Sequence, residues 1–205
     1  MTHISGKSLL ETVKEELGFL PEKDYRIEKE RIKWDHIFLI EALLWSYRSH
    51  DAQTQCGCVL VGEDNTVLST GYNGFMRDID DSVLPNVRPL KYPFMIHAEH
   101  NAILNCASSG RSTLGSTAYI TDAPCNWCLQ YLWQAGIKKI VYSNMSNVVM
   151  TQNEDEQRIH QVLLRLMNPS CLSIYCRMEV QFIPSTQIDF SPIVDMHYKF
   201  CGNIK

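Results

Sequence analysis

The spacing of apolar residues changes period several times along the chain, and each change marks an element. Ser8–Leu17 (SLLETVKEEL) carries apolar side chains at helical spacing and runs into Gly18 and Pro21, residues that close helices. Trp34–Arg48 repeats the helical period over a longer stretch, where Ile37, Phe38, Ile40, Leu43, Leu44 and Tyr47 predict a broad apolar face. Cys56–Val61 and Val67–Gly71 are strand-like runs, and Glu63-Asp64-Asn65 between them reads as a hairpin turn. Helical spacing returns at 97–108, gives way to a strand near Thr117–Thr121, and returns again at 125–135 before a strand at Lys139–Tyr142. Glu154–Met167 aligns Ile159, Val162, Leu163 and Leu166 as a further helix. Arg177–Ile183 ends the pattern as a strand, with Met178, Val180 and Phe182 alternating against polar neighbours.

Beyond the first helix the order is α-β-β-α-β-α-β-α-β. The hairpin implies antiparallel pairing, and strands separated by helices imply parallel pairing through right-handed crossovers. An α/β fold follows, a three-layer α/β/α sandwich on a mixed five-stranded sheet. Residues 1–33 read as an N-terminal helical appendage and 34–205 as one domain.

Composition narrows the class. With 205 residues, 45% apolar and 20% charged, the chain has the make-up of an ordinary globule with a substantial core. No run approaches the length of a membrane span and no apolar stretch follows Met1, which predicts neither anchor nor secretory signal and a cytoplasmic protein. Eight cysteines then fit a reducing compartment, with thiols free or on metal. The net charge is −4, and the densest basic stretch, Arg26–Lys33, is broken by Glu28 and Glu30. A protein that grips a polynucleotide needs a basic stripe, so the charge favours a small ligand over nucleic acid. Trp34, Trp45, Trp127 and Trp133 all fall in predicted helices, where core packing is expected rather than stacking on bases.

Candidate chemistry sits in two motifs, His97-Ala98-Glu99 and Pro124-Cys125-Asn126-Trp127-Cys128. One imidazole and two thiols supply three ligands for Zn²⁺. Structural zinc sites close all four positions, whereas catalytic ones keep a place for water, whose pKa falls towards neutrality. Glu99, two residues from the imidazole, is placed to carry protons. This is the H-x-E…P-C-x-x-C signature of zinc nucleobase deaminases, in which the glutamate is general acid and base. Pro124 suits the start of a helix, so that Cys125 and Cys128 lie one turn apart near a dipole end that favours thiolates. Two other readings stay open. His100 as a fourth ligand would close the site, although H-x-x-H is tight for a finger and Glu99 would be idle. A C-x-x-C at a helix start can also be redox-active, but no thioredoxin-like context surrounds this one. Cys56, Cys58, Cys106, Cys171, Cys176 and Cys201 read as small buried hydrophobes, with a second metal half-site open to Cys171 and Cys176 that nothing near them completes.

Further stretches carry a resemblance. Arg48-Ser49-His50-Asp51 is followed by Thr54-Gln55 and Gly57, then by Gly71-Tyr72-Asn73-Gly74-Phe75. Ser82-Val83-Leu84-Pro85, Lys91-Tyr92-Pro93 and Asn101-Ala102-Ile103 complete the set. Together with the two motifs, over roughly residues 34–145, they resemble the deoxycytidylate (dCMP) deaminases, a branch of the cytidine deaminase superfamily.

The resemblance implies hydrolysis of dCMP to dUMP with release of ammonia, in pyrimidine nucleotide biosynthesis, by a homo-oligomer (dimer or hexamer). By position, His97, Cys125 and Cys128 would hold the zinc, Glu99 would move the proton, and Asn73, Ala98 and Arg48 would meet the substrate. Asn73 would bond the sugar, though Asn-Gly is also the strongest two-residue turn signal. Arg48 would reach the 5′-phosphate, or is simply an exposed helix-end arginine. Met76 and Asp78 stand where the family has Pro and Gly, in the loop that the resemblance ties to dCTP and dTTP effectors. The added carboxylate and the lost Pro and Gly argue against an incoming triphosphate. Ser143-Asn144-Met145 replaces a family aromatic near the nucleotide. Other substrates (dCTP, a 5-modified dCMP, cytosine in a single strand) and a catalytically silent, zinc-containing regulatory module stay open.

Overall fold

The computed structural model describes residues 15–16, 30–145, 154–167 and 178–195. The helix expected over 8–17 lies outside these apart from Glu15 and Glu16, which are helical. Most of the basic stretch Arg26–Lys33, and Cys171, Cys176 and Cys201, also lie outside them. The chain divides into two compact units, Met1–Arg31 and Ile32–Lys205. The second unit carries α1 (Trp34–Ser46), β1 (Gly57–Val61), β2 (Val67–Tyr72), α2 (Ala98–Ser108), β3 (Thr117–Ile120), α3 (Asn126–Gln134), β4 (Lys139–Tyr142), α4 (Glu154–Met167) and β5 (Glu179–Phe182).

The sheet has five strands in the order β2-β1-β3-β4-β5. β1 and β2 form the expected antiparallel hairpin, and β3, β4 and β5 pair in parallel. The hairpin turns through Asn65 at φ 63°, and Asp64 accepts the Thr66 N–H at 3.0 Å. β3 does not lie beside β2, from which its helix departs; it pairs antiparallel with β1 on the far side. The two flanking strands differ in burial. β1 (Gly-Cys-Val-Leu-Val) is buried at every position and needs a neighbour on both edges. β2 is half-exposed along most of its length and serves as an edge.

Alternation along β1 sends Cys58 and Leu60 to one face and Val59 and Val61 to the other. The first pair packs with Ala98, Ala102 and Cys106 of α2, Leu129 and Leu132 of α3, and Leu163 of α4. The second packs with Phe38, Leu39 and Ala42 of α1 and with Ile183, Ile188 and Phe190. Three layers result, as expected. The buried face of α1 differs from expectation: Leu44 and Tyr47 are exposed, while Leu39, Ala42 and Ser46 are buried. The reason is Gly57, where a Cβ would stand 1.8 Å from the Ala42 carbonyl oxygen, so α1 meets the sheet through its small residues. Core packing of the tryptophans is likewise corrected. Trp133 packs against the core, but Trp34, Trp45 and Trp127 are exposed, each lying on the outer side of a helix whose other side carries the apolar contact. Ile159 and Val162 of α4 are also exposed.

Candidate metal centre and active site

α2 and α3 both begin at a residue of the two motifs. His97 is the N-cap of α2 in extended conformation, and Ala98 and Glu99 form its first turn. Cys125 is the N-cap of α3, its Sγ accepting the Cys128 N–H at 3.5 Å. Pro124 therefore precedes the cap instead of taking the first helical position. A thiol at an N-cap does for the helix what a serine oxygen does elsewhere, satisfying an orphan donor. α3 is buttressed by α4, where His160 Nδ1 pairs with Asn126 Oδ1 at 3.0 Å.

These caps bring three donors together. His97 Nδ1 lies 3.6 Å from Cys125 Sγ and 3.4 Å from Cys128 Sγ, and all three atoms fall within 4.8 Å of one another. Tetrahedral zinc with bonds of about 2.3 Å to sulfur and about 2.1 Å to nitrogen separates N and S by about 3.6 Å. The donor set fits zinc in type and spacing. Among the described residues no fourth His, Cys, Asp or Glu joins the cluster. His100 is turned against the Tyr131 ring, centroids 4.1 Å apart, which removes the closed Cys₂His₂ reading.

Electrostatics within the cluster are steep. Cys125 is lowered to about 4, first by the hydrogen bond from Cys128 and then by His97 against the cost of burial. The Cys128 thiol is pushed up, chiefly by the adjacent Cys125 sulfur and by burial. His97 is raised to about 9, chiefly by its hydrogen bond to Cys125. Glu99 is buried, 5% exposed, and burial raises its carboxyl above the usual range. Burial favours the neutral form of this carboxyl relative to an exposed one.

The cluster opens on a cavity of about 130 Å³. His97, Ala98, Glu99 and Cys125 line it, and so does Asn73. Asn73 is not a hairpin turn residue: it follows β2 without a positive φ, and the Gly74 backbone pairs with Ile96. Its amide braces the cavity wall, accepting from the Cys56 N–H at 2.8 Å and donating to the Thr54 carbonyl at 2.8 Å. Arg48 is not brought to this cavity. It is exposed beyond the end of α1 and lines a separate depression with Met76 and Asp78. Asp78 sits there at φ 65°, a left-handed conformation that glycine adopts without strain and aspartate tolerates.

Four charged residues of the cavity carried no role in the sequence reading: Asp51, Arg88, Lys91 and Asp122. Asp51 and Lys91 are 1% and 3% exposed and form an ion pair. Asp51 also accepts the Gln53 and Thr54 N–H groups, folding the 51–55 loop that faces Asn73. Asp51 and Lys91 each stood in one of the quoted stretches, but nothing in the sequence says that positions 40 apart meet, and Arg88 and Asp122 stood in none.

A family model, the cytidine and deoxycytidylate deaminase zinc-binding region, matches residues 32–144, which contain every member of the cluster. The chain belongs to that family. Among its relatives, a probable deoxycytidylate deaminase of Drosophila melanogaster is 37% identical over 153 residues, covering 69% of this chain and 71% of the fly protein. The deoxycytidylate deaminase of Homo sapiens is 36% identical over 117 residues, 54% of this chain and 65% of the human one. The crystal structure of dCMP deaminase from the cyanophage S-TIM5, in complex with dCMP and dUMP, superposes with a TM-score of 0.56 at 25% identity. That match covers 76% of this chain and 100% of the phage chain. The mixed sheet and its helices are thus those of a cytidine deaminase-like deaminase.

Proposed function

We propose that this deaminase hydrolyses dCMP to dUMP and ammonia, with residues 34–205 as the catalytic domain and 1–33 as a helical appendage. The observation that carries the reading is a buried carboxyl, Glu99, beside three zinc-type donors at one cavity. Relatives named for dCMP, one of them crystallised with dCMP and dUMP, support that nucleotide as substrate.

The residues divide the work as follows. His97, Cys125 and Cys128 would hold the zinc, which would supply Lewis acidity and a water of lowered pKa. Glu99 would take one proton from the attacking water and deliver it to N3 of the base, then take the second from the hydroxyl now on C4 and give it to the departing amine as the C4 carbonyl forms. The Ala98 N–H precedes the first intrahelical bond of α2, Asn101 N–H to the His97 carbonyl at 2.9 Å, and is left to meet the base carbonyl. Asn73 retains a lone pair for the sugar hydroxyl.

The chain acts as a homo-oligomer, for which the exposed Leu44 and Tyr47 on α1 offer an apolar surface. Its setting is cytoplasmic; no helix among the described residues is long and apolar enough to cross a membrane, and Cys58 and Cys106 are buried core thiols. Effector control by dCTP or dTTP is not part of the reading, because Met76, Arg77 and Asp78 are exposed with a carboxylate where a triphosphate would approach.

The test is direct. Zinc-loaded protein is incubated with dCMP, dCTP and deoxycytidine while cytosine absorbance and ammonia are followed. Turnover of dCMP is expected, and Glu99→Ala is expected to abolish it with zinc still bound stoichiometrically. Zinc lost from that variant would make Glu99 a ligand and sink the mechanism.

A further inference from the structure

We infer that Arg88 reads the 5′-phosphate of the nucleotide and sets the preference for a nucleoside monophosphate over the free nucleoside. The inference rests on the cytosine-nucleotide reading above and supplies the residue that Arg48 does not.

The charges lining the cavity pair off unequally. Lys91 is matched one to one by Asp51, with both groups buried, so its charge is spent inside the protein. Glu99 belongs to the metal end, and Asp122, three residues before Cys125 in the chain, has an interaction of its own. Arg88 is the remaining cation. Its Nη2 donates to a neutral acceptor, Thr54 Oγ1, at 2.6 Å, and its buried Nε–H has no acceptor. No carboxylate among the described residues forms an ion pair with it.

A guanidinium carries five N–H donors in a planar fork, and one hydroxyl satisfies one of them. A half-buried arginine held so loosely costs free energy unless an acceptor completes it. The fork matches the spacing of phosphate oxygens, and a dianion supplies the missing counter-charge. Arg88 is also held in place from two sides. Its backbone N–H donates to Gln53 Oε1 at 2.8 Å, and Thr54, which steadies Nη2, is itself fixed by Asp51 and Asn73. The residues that would meet the sugar and the phosphate are therefore one connected wall. With the metal donors and Glu99 on one part of the lining and Arg88 tied to Thr54 on another, one orientation follows: base towards His97 and Glu99, phosphate towards Arg88.

The experiment compares dUMP with deoxyuridine by calorimetric titration of the zinc-loaded protein, and dCMP with deoxycytidine by turnover. Arg88→Met is expected to weaken dUMP roughly 10- to 100-fold, the range for a hydrogen-bonded charge contact, and to lower the dCMP-over-deoxycytidine preference by a similar factor. Arg88→Lys, which keeps the charge and loses the fork, should fall between the two and stands in if the methionine variant does not fold. Equal weakening of dUMP and deoxyuridine, or an unchanged preference, overturns the role. Wild-type protein that binds dUMP over deoxyuridine but never turns over dCMP would end the deamination reading and leave Arg88 standing. Equal turnover of dCMP and deoxycytidine would do the reverse.

Discussion

Gly71 offers the sharpest test of how the fold holds the site. It is a β2 residue paired with Cys58, and α2 crosses directly over it. A Cβ there would lie 2.3 Å from the Ala98 carbonyl oxygen, 2.4 Å from the Ala102 nitrogen and 3.0 Å from the Ala102 Cα. Ordinary contact begins near 3.4 Å, so strand and helix must part by about 1 Å. All three opposing atoms are main chain, and no rotamer change relieves them. Overpacking typically costs about 1–3 kcal/mol, and this case belongs at the upper end or beyond. For a chain of this size that is a fall in Tm of roughly 6–12 °C. The helix that moves is the one that begins at His97 and carries Glu99 in its first turn. A displacement of this size misplaces reacting groups and costs about 100-fold in rate. Gly71→Ala should therefore lose both Tm and kcat/KM for dCMP. Gly110→Ala is the control: φ is +70° but nothing lies within 4 Å, so backbone strain of roughly 1–2 kcal/mol is its whole effect and activity persists. If Gly71→Ala melted and turned over like wild type, the close approach of β2 and α2 would be wrong.

Three further outcomes follow from the same geometry. Lys91→Met strands the Asp51 carboxylate in the interior, and denaturant titration should show a loss of about 3–5 kcal/mol, with no change refuting the pair. Zinc must displace the proton that Cys125 holds on His97 up to about pH 9, and another from Cys128, whereas Cys125, lowered to about 4, is already a thiolate at neutral pH. Apparent zinc affinity, measured by chelator competition, should hence rise at least about tenfold per pH unit between pH 6.5 and 8.5, and a flat profile would contradict these charges. Tyr119→Phe removes the hydroxyl that donates to Asp35 of α1 at 2.8 Å and should cost about 1 kcal/mol in thermal unfolding without altering kcat.

The two motifs were legible in the sequence because their geometry is local. An N-cap and the turn after it fix His97 against Glu99, and Cys125 against Cys128, whatever the rest of the chain does. The order of helices and strands was legible for the same reason, since periods of 3.6 and 2 are properties of short segments. What the sequence left undetermined depended on which surfaces meet. β3 chose β1 over β2 because β1 is buried on both edges, a fact about the whole sheet. The face of α1 was set by the absence of a Cβ at Gly57, and it exposed Leu44 and Tyr47 that a helical wheel would bury. Asp51 and Lys91 found each other across 40 positions, and Arg88 came to the cavity while Arg48 did not. Sequence alone picked out the three zinc-type donors and the carboxyl beside them; the tertiary structure decided the rest of the cavity wall, because a buried charge is placed by its distant partner and not by its neighbours in the chain.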